Sequence, residues 1–308
     1  MNTAPAGLQF FTPSYAGDLE RFVLLRQTVR HFARCAVAHV VAVPRRDVNS
    51  FRRALADDAA IRVLAQEDFV APIFYAPAWS RRLQRVLGKR AWRLERSRFG
   101  GRPGWIVQQI VKLSAPEVFR TGAVCLVDSD LLFIRPFDHE DLVPTSGPRI
   151  LMRMEPDDVT AQHPSHMRRS REILGLPPGS ERHHFMASPG IWYVDWVQAL
   201  RSEIERRHGK PWQRVLYDAG VFSEYLLYGI FVDEILRPPQ LRQRTAPFSV
   251  GIWSRGDFDR FVRDPQTLLD QAAECERPLS LVIQSNIGVE AAAYSVIVRA
   301  ALLGNGAD

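Results

Sequence analysis

Asp128 and Asp130 stand one residue apart in the run AVCLVDSDLLFIRPF, residues 123 to 137, where five apolar residues lead up to the first acid. Two carboxylates so close repel each other unless a divalent cation neutralises them. Hard oxygen donors suit Mn²⁺ or Mg²⁺, ions that keep some waters and bridge substrate phosphates. A solvated strand end is the competing reading, and the apolar flanks on both sides weigh against it. Alternation along the strand sends Asp128 and Asp130 to one side and Ser129 to the other.

Other residues of chemical interest are scattered. GWIVQQIVKL puts Gln108 and Lys112 four positions apart on one helical face, while Ile106, Ile110 and Leu113 point elsewhere. FSEYLLYG offers Glu224, preceded by Asp218 and flanked by Tyr225 and Tyr228. His183 and His184 fall in a segment rich in Pro, His, Arg and Ser, where they contact a ligand or act structurally. Trp253 is a sugar platform or a core residue. Cys35, Cys125 and Cys275 are far apart and form no CxxC pair, which excludes a disulfide framework or a zinc cluster; Cys125 reads as a small apolar filler.

The elements that must position these groups alternate. GLQFFTPSY reads as a short strand and DLERFVLLRQTVRHF as a helix capped by Asp18, with Arg21 in its first turn. AVAHVVAVP is a buried strand, VNSFRRALADD a helix and AIRVLAQEDF another strand. GWIVQQIVKLSAPEVF is helical and precedes the acidic strand. PRILMRMEP is a strand, and residues 156 to 190 are irregular around one short helix. GIWYVDWVQALRSEIERRHG passes from strand to helix, DAGVFSEYLLYGIFVDEIL is helical, and LVIQSNIG is a last strand before an apolar helix. This order implies an α/β fold with a mostly parallel central sheet flanked by helices and the D-x-D at the end of a central strand. Ligands bind at the carboxyl edge of such sheets.

The chain has 308 residues, enough for one large domain with a sizeable core. No apolar stretch is long enough to span a bilayer, and MNTAPAGLQFFTPSY lacks the features of a secretory signal, so cytoplasmic residence is the expectation. Net charge is +6, carried almost wholly by arginine; the only lysines are Lys89, Lys112 and Lys210. Residues 81 to 102 hold nine basic residues against one acid, Glu95. That stretch is a solvated face or a peripheral contact for an acidic membrane surface, here the inner membrane face. Nucleic acid is not expected, because no recognition motif accompanies the charge.

CLVDSDLLFIRPF resembles the D-x-D strand of GT-A fold glycosyltransferases. With TPSYAGDLERF, GWIVQQIVKL and FSEYLLYGIFVD in the expected order, the chain resembles a family of bacterial putative glycosyltransferases. The resemblance implies a single GT-A domain over 1–308, with 1–135 as the nucleotide-sugar half and 136–308 as the acceptor side. It implies a UDP-sugar or related nucleoside diphosphate sugar as donor, Mn²⁺ or Mg²⁺ held by Asp128 and Asp130, and a glycan or lipid-linked acceptor of the bacterial surface.

Further expectations follow residue by residue. Thr12, Pro13, Ser14 and Tyr15 form the loop that touches the nucleotide, with Asp18 and Arg21 opening a helix whose free N–H groups suit phosphate. Tyr15 would stack on the base. Gln108 and Lys112 would approach the donor's phosphate or sugar, unless Lys112 is a plain surface lysine. Ser129 would sit with the donor, and Glu224 would be the general base for an inverting transfer, a donor-sugar ligand or a loop anchor. HGKPW (208 to 212) looks like a compressed metal-ligand motif of retaining family 8 glycosyltransferases; its spacing is wrong, and it reads better as a helix stop. No histidine follows His208, so a third metal ligand would come from Gln284, Ser285 or Asn286, or from water. Two rival functions stand beside this one. A haloacid-dehalogenase-like phosphohydrolase would need a small hydroxyl residue where Leu132 stands, and a non-catalytic nucleotide or glycan binder would keep the fold without turnover.

Overall fold

In a computed structural model, described here for residues 7–70, 104–155, 164–179, 183–265 and 278–300, the chain is a mixed α/β protein. Its main sheet has the order β3-β2-β1-β4-β7. The strands are β1 (Leu8–Pro13), β2 (Val37–Val43), β3 (Ile61–Ala65), β4 (Ala123–Leu126) and β7 (Gly190–Tyr193). All pairings are parallel except β4 with β7. Phe10, Phe11, Val40, Val41 and Val124 are buried, as expected of strands covered on both faces.

A second sheet joins β5 (Leu131–Phe133), β10 (Ser280–Ile283) and β9 (Ser249–Ile252), and a third pairs β6 (Arg149–Met152) with β8 (Leu241–Arg244). Strands β8 and β9 carry no alternating apolar pattern, and only the paired register reveals them. Helix α1 (Leu19–Phe32) packs on β5, α2 (Val48–Ala54) on β3, and α3 (Gly104–Leu113) on β1. Further along lie α4 (Pro164–Ile173), α5 (Val194–His208), α6 (Trp212–Ala219), α7 (Glu224–Ile230), α8 (Arg255–Arg263) and α9 (Ala292–Val298).

Two local expectations are corrected. Asp18 occupies the N-cap position of α1 but makes no capping hydrogen bond; its Oδ1 accepts one from Arg21 Nη1 at 2.9 Å instead. The acids do not continue a strand. β4 stops at Leu126, and the Leu131 N–H donates to the Asp128 carbonyl at 3.1 Å, closing a turn that hands the chain from the first sheet to the second. Strand alternation therefore does not govern residues 128 to 130.

The stop at HGKPW is as expected. Gly209 takes a left-handed φ of 61°, which a glycine adopts without steric cost, and His208 Nε2 lies 2.8 Å from the Ile173 carbonyl. Among the described residues, no helix is long and apolar enough to cross a membrane. The basic stretch 81 to 102 and Cys275 lie outside the described residues.

Candidate functional site

The acidic turn opens into a cavity of about 1010 Å³ at the carboxyl edge of the main sheet. Its walls include Ser14, Tyr15 and Asp18 after β1, Gln108 and Lys112 on α3, the turn 128 to 130, and Ser223 and Glu224. Gln284 and Ser285 after β10 close the other side, so both halves of the chain contribute.

Lys112 is at the centre and is no surface lysine. Its Nζ lies 2.9 Å from Asp128 Oδ1, 2.9 Å from Glu224 Oε1 and 3.3 Å from the Tyr225 hydroxyl, over whose ring it also sits. Burial by itself would lower its pKa, but the Asp128 and Glu224 carboxylates outweigh that and hold it well above the ordinary lysine value. Tyr225 can reach this point because Gly190 leaves room: a Cβ there would come within 2.6 Å of its ring.

Local sequence explains Glu224. Ser223 caps α7, its Oγ accepting the Leu226 N–H at 3.4 Å, so Glu224 becomes the first helical residue. The Glu224 N–H donates to Gln109 Oε1 at 3.0 Å, which ties α7 to α3. Gln109 was not singled out from sequence, because nothing local says that it meets the start of α7.

Asp130 is held from the second sheet, its Oδ2 accepting the Ser285 N–H at 3.1 Å. Burial, then the charge of Asp128, pushes its carboxyl up to about 7. Asp18 lies close enough to feel Asp128, and burial is the main cause of its own raised pKa. Ser129 Oγ donates to Ser14 Oγ at 2.9 Å, fastening the acidic turn to the loop after β1.

Thr12 and Arg21 are placed away from the cavity. Thr12 Oγ1 is buried between His39 Nε2 at 2.8 Å and the Val127 carbonyl at 2.5 Å, and Arg21 Nη2 donates to the Val289 carbonyl at 2.6 Å. Pro13 contributes its carbonyl, 3.5 Å from Gln108 Nε2. Ser14 and Tyr15 do line the cavity. His184 lines it too, whereas His183 Nδ1 lies 3.7 Å from Glu155. His208 is exposed at the end of α5. Asp218 pairs with Arg214, and Tyr228 is buried and accepts the Tyr193 N–H at 3.1 Å. Trp253 is not a core residue: it lines the cavity and is 53% exposed.

Asp130 is a half-buried carboxyl with one hydrogen-bond donor from the Ser285 backbone, and Asp128, also half-buried, accepts from Lys112 Nζ on Oδ2 at 3.1 Å and leaves Oδ1 with an ion-pair neighbour but no hydrogen bond. Two hard oxygen donors in that condition fit Mn²⁺ or Mg²⁺, with water and diphosphate oxygens completing the shell. Among the described residues, no group of three His, Cys, Asp or Glu side chains forms a ready-made metal site.

No curated protein matches the chain. Among solved structures it is similar to the WbbM bifunctional glycosyltransferase, at 13% identity and TM-score 0.48, covering 92% of this chain and 46% of that one. The chain thus spans about half the length of that relative. It is also similar to the galactosyltransferase LgtC bound to donor and acceptor sugar analogs, at 12% identity and TM-score 0.47, covering 91% and 88%. A third is a core-mannan synthase from Aspergillus fumigatus in its Mn/GDP form, at 10% identity and TM-score 0.45, covering 79% and 74%. At such scores the likeness carries nothing about activity. Sequence similarity is more definite: residues 8–243 match the profile of a family of unknown function, DUF6492, and the chain belongs to that family.

Proposed function

We propose that the protein is a metal-assisted glycosyltransferase that moves a sugar from a nucleoside diphosphate sugar, a UDP-sugar in the first instance, to an acceptor hydroxyl. The observation that carries this reading is the acidic turn, Asp128 to Asp130, set with Lys112 and Glu224 in one deep cavity at the sheet's carboxyl edge. Mn²⁺ or Mg²⁺ held by Asp128 and Asp130 would neutralise charge on the diphosphate leaving group as a Lewis acid. Ser14 and Tyr15 receive the nucleoside, Tyr15 offering an exposed ring to the base. Lys112 fixes Asp128 and Glu224 at set positions and gives the donor one buried positive charge. In an inverting transfer, Glu224 takes the acceptor proton on the oxygen not paired with Lys112. The acceptor is a glycan or lipid-linked glycan of the bacterial surface, and stretch 81 to 102 would bring the protein to the inner membrane face.

The test is release of nucleoside diphosphate from a panel of UDP- and GDP-sugars with Mn²⁺. Release that is lost with chelator and with Asp130→Ala is the expected result. No nucleotide binding under any of these conditions would overturn the reading. A non-catalytic binder is the second reading, favoured by Lys112 already occupying both Asp128 and Glu224. Tight nucleotide binding without release, in the presence of acceptors, would establish it.

A further inference from the structure

Large apolar side chains seldom stay exposed without reason when they gather in one place. Among the described residues, the exposed large aromatics are Tyr15, Trp105 and Trp253, and all three line the same cavity. Tyr15 and Trp253 stand on different walls. Tyr15 follows Ser14, which is bonded to Ser129. Trp253 follows Ile252, whose carbonyl accepts the Gln284 N–H at 3.1 Å, and the next residue, Ser285, holds Asp130. The acidic turn therefore lies between a tyrosine wall and a tryptophan wall.

The indole of Trp253 lies against Gly251, where an added Cβ would come within 2.1 Å of its Nε1, so glycine at that position permits its pose. Trp105 shares a face of α3 with Gln108 and Lys112, at spacings of three and seven residues, and packs against His166 with ring centroids 5.2 Å apart. Seven residues of helix place Trp105 about 10 Å along the axis from Lys112.

A flat aromatic face beside polar groups matches the chemistry of a pyranose, which has an apolar C–H face and a polar rim. A nucleobase needs one such face, and Tyr15 supplies it on the other wall. An acyl chain would need continuous apolar lining, whereas Gln108, His166, His184 and Gln284 sit among the tryptophans. We propose that the Trp253 and Trp105 faces, on two elements of the one cavity, form the acceptor subsite and that it takes a saccharide of at least two rings. The reacting ring stacks on Trp253 beside Asp130, and the next ring stacks on the Trp105–His166 pair. The proposal rests on the glycosyltransferase reading of the same cavity.

Its test separates the two. Methyl glycosides of glucose, galactose, mannose and N-acetylglucosamine, and their disaccharides, are titrated by calorimetry with and without Mn²⁺ and UDP; nucleotide binding is titrated separately. Disaccharides are expected to bind more tightly than monosaccharides. Trp253→Ala should weaken both by at least about tenfold, roughly 1.4 kcal/mol, and far more than it weakens UDP. Trp105→Ala should erase the disaccharide advantage, and Trp253→Phe should restore part of the loss. Failure of UDP to bind with saccharide binding intact would remove the donor reading and keep the platform. Equal loss of UDP and saccharide in Trp253→Ala would make the wall a nucleoside site and overturn the proposal. So would failure of every saccharide at high millimolar concentration, or tryptophan-dependent binding to vesicles bearing a polyprenyl phosphate alone.

Discussion

An ammonium group whose side chain is 6% exposed, lying between two carboxylates, cannot be removed without leaving a buried charge behind. Taking away one member of such a group costs about 3–5 kcal/mol. Lys112→Met should therefore lower stability by about that amount in urea unfolding, and the double variant with Glu224→Gln should recover part of it. Full additivity of the two losses would count against the pairing. Asp130 is the opposite case, a half-buried carboxyl with a backbone donor and, among the described residues, no ion pair, its charged form disfavoured by burial and by Asp128. Asp130→Asn should raise the thermal midpoint of the metal-free protein, by about 1 kcal/mol of stability, while abolishing Mn²⁺-dependent nucleotide binding. A variant that is destabilised, or that binds as before, would contradict the assignment.

At the scale of elements, a buried polar chain runs from α1 through β2 and β1 to the residue before Asp128. Arg26 pairs with Asp58 at 2.9 Å and lies 3.2 Å from His39 Nδ1. Arginine can only donate, so the His39 proton is on Nε2 and is given to Thr12, whose hydroxyl donates to the Val127 carbonyl. Burial, then the charge of Arg26, lowers the His39 pKa well below its ordinary value. The native state thus keeps His39 neutral where the unfolded chain takes up a proton. Stability from this source is complete above about pH 6.5 and falls as pH drops below it, by up to about 1.4 kcal/mol per pH unit. Urea midpoints of wild type should fall more steeply between pH 7 and pH 5 than those of His39→Gln, and equal slopes would refute the chain. This device was not legible in sequence, since Thr12 reads there as part of the nucleotide loop. Nothing local says that its hydroxyl faces a histidine 27 positions away.

For the whole molecule, a ligand that binds only the folded state raises its melting temperature by mass action. UDP with Mn²⁺ should therefore shift wild type upward and leave Asp128→Ala/Asp130→Ala unmoved, measured by scanning fluorimetry against UDP with chelator. The nine basic residues of 81 to 102 lead to a separate expectation. Co-sedimentation with phosphatidylglycerol vesicles should be strong at low salt and lost at high salt or when the arginines there are replaced by glutamate. Salt-independent sedimentation would point to another surface.

The sequence by itself determined what depends on neighbours along the chain. Apolar runs marked the strands of the main sheet, 3.6-residue periodicity marked α1 and α3, and glycine with proline marked the end of α5. The acidic pair was legible for the same reason, because two carboxylates beside a buried strand are a local conflict. What only the tertiary structure decided depends on distant parts of the chain meeting. The acids form a turn between two sheets because β10 takes up the chain at Leu131. Lys112 is buried because Asp128 and Glu224 arrive from 16 and 112 residues away. Trp253 stays exposed because Gly251 lets its ring lie against the strand. Charge pairing and burial are set by which groups converge in space, and that convergence carries no local signature.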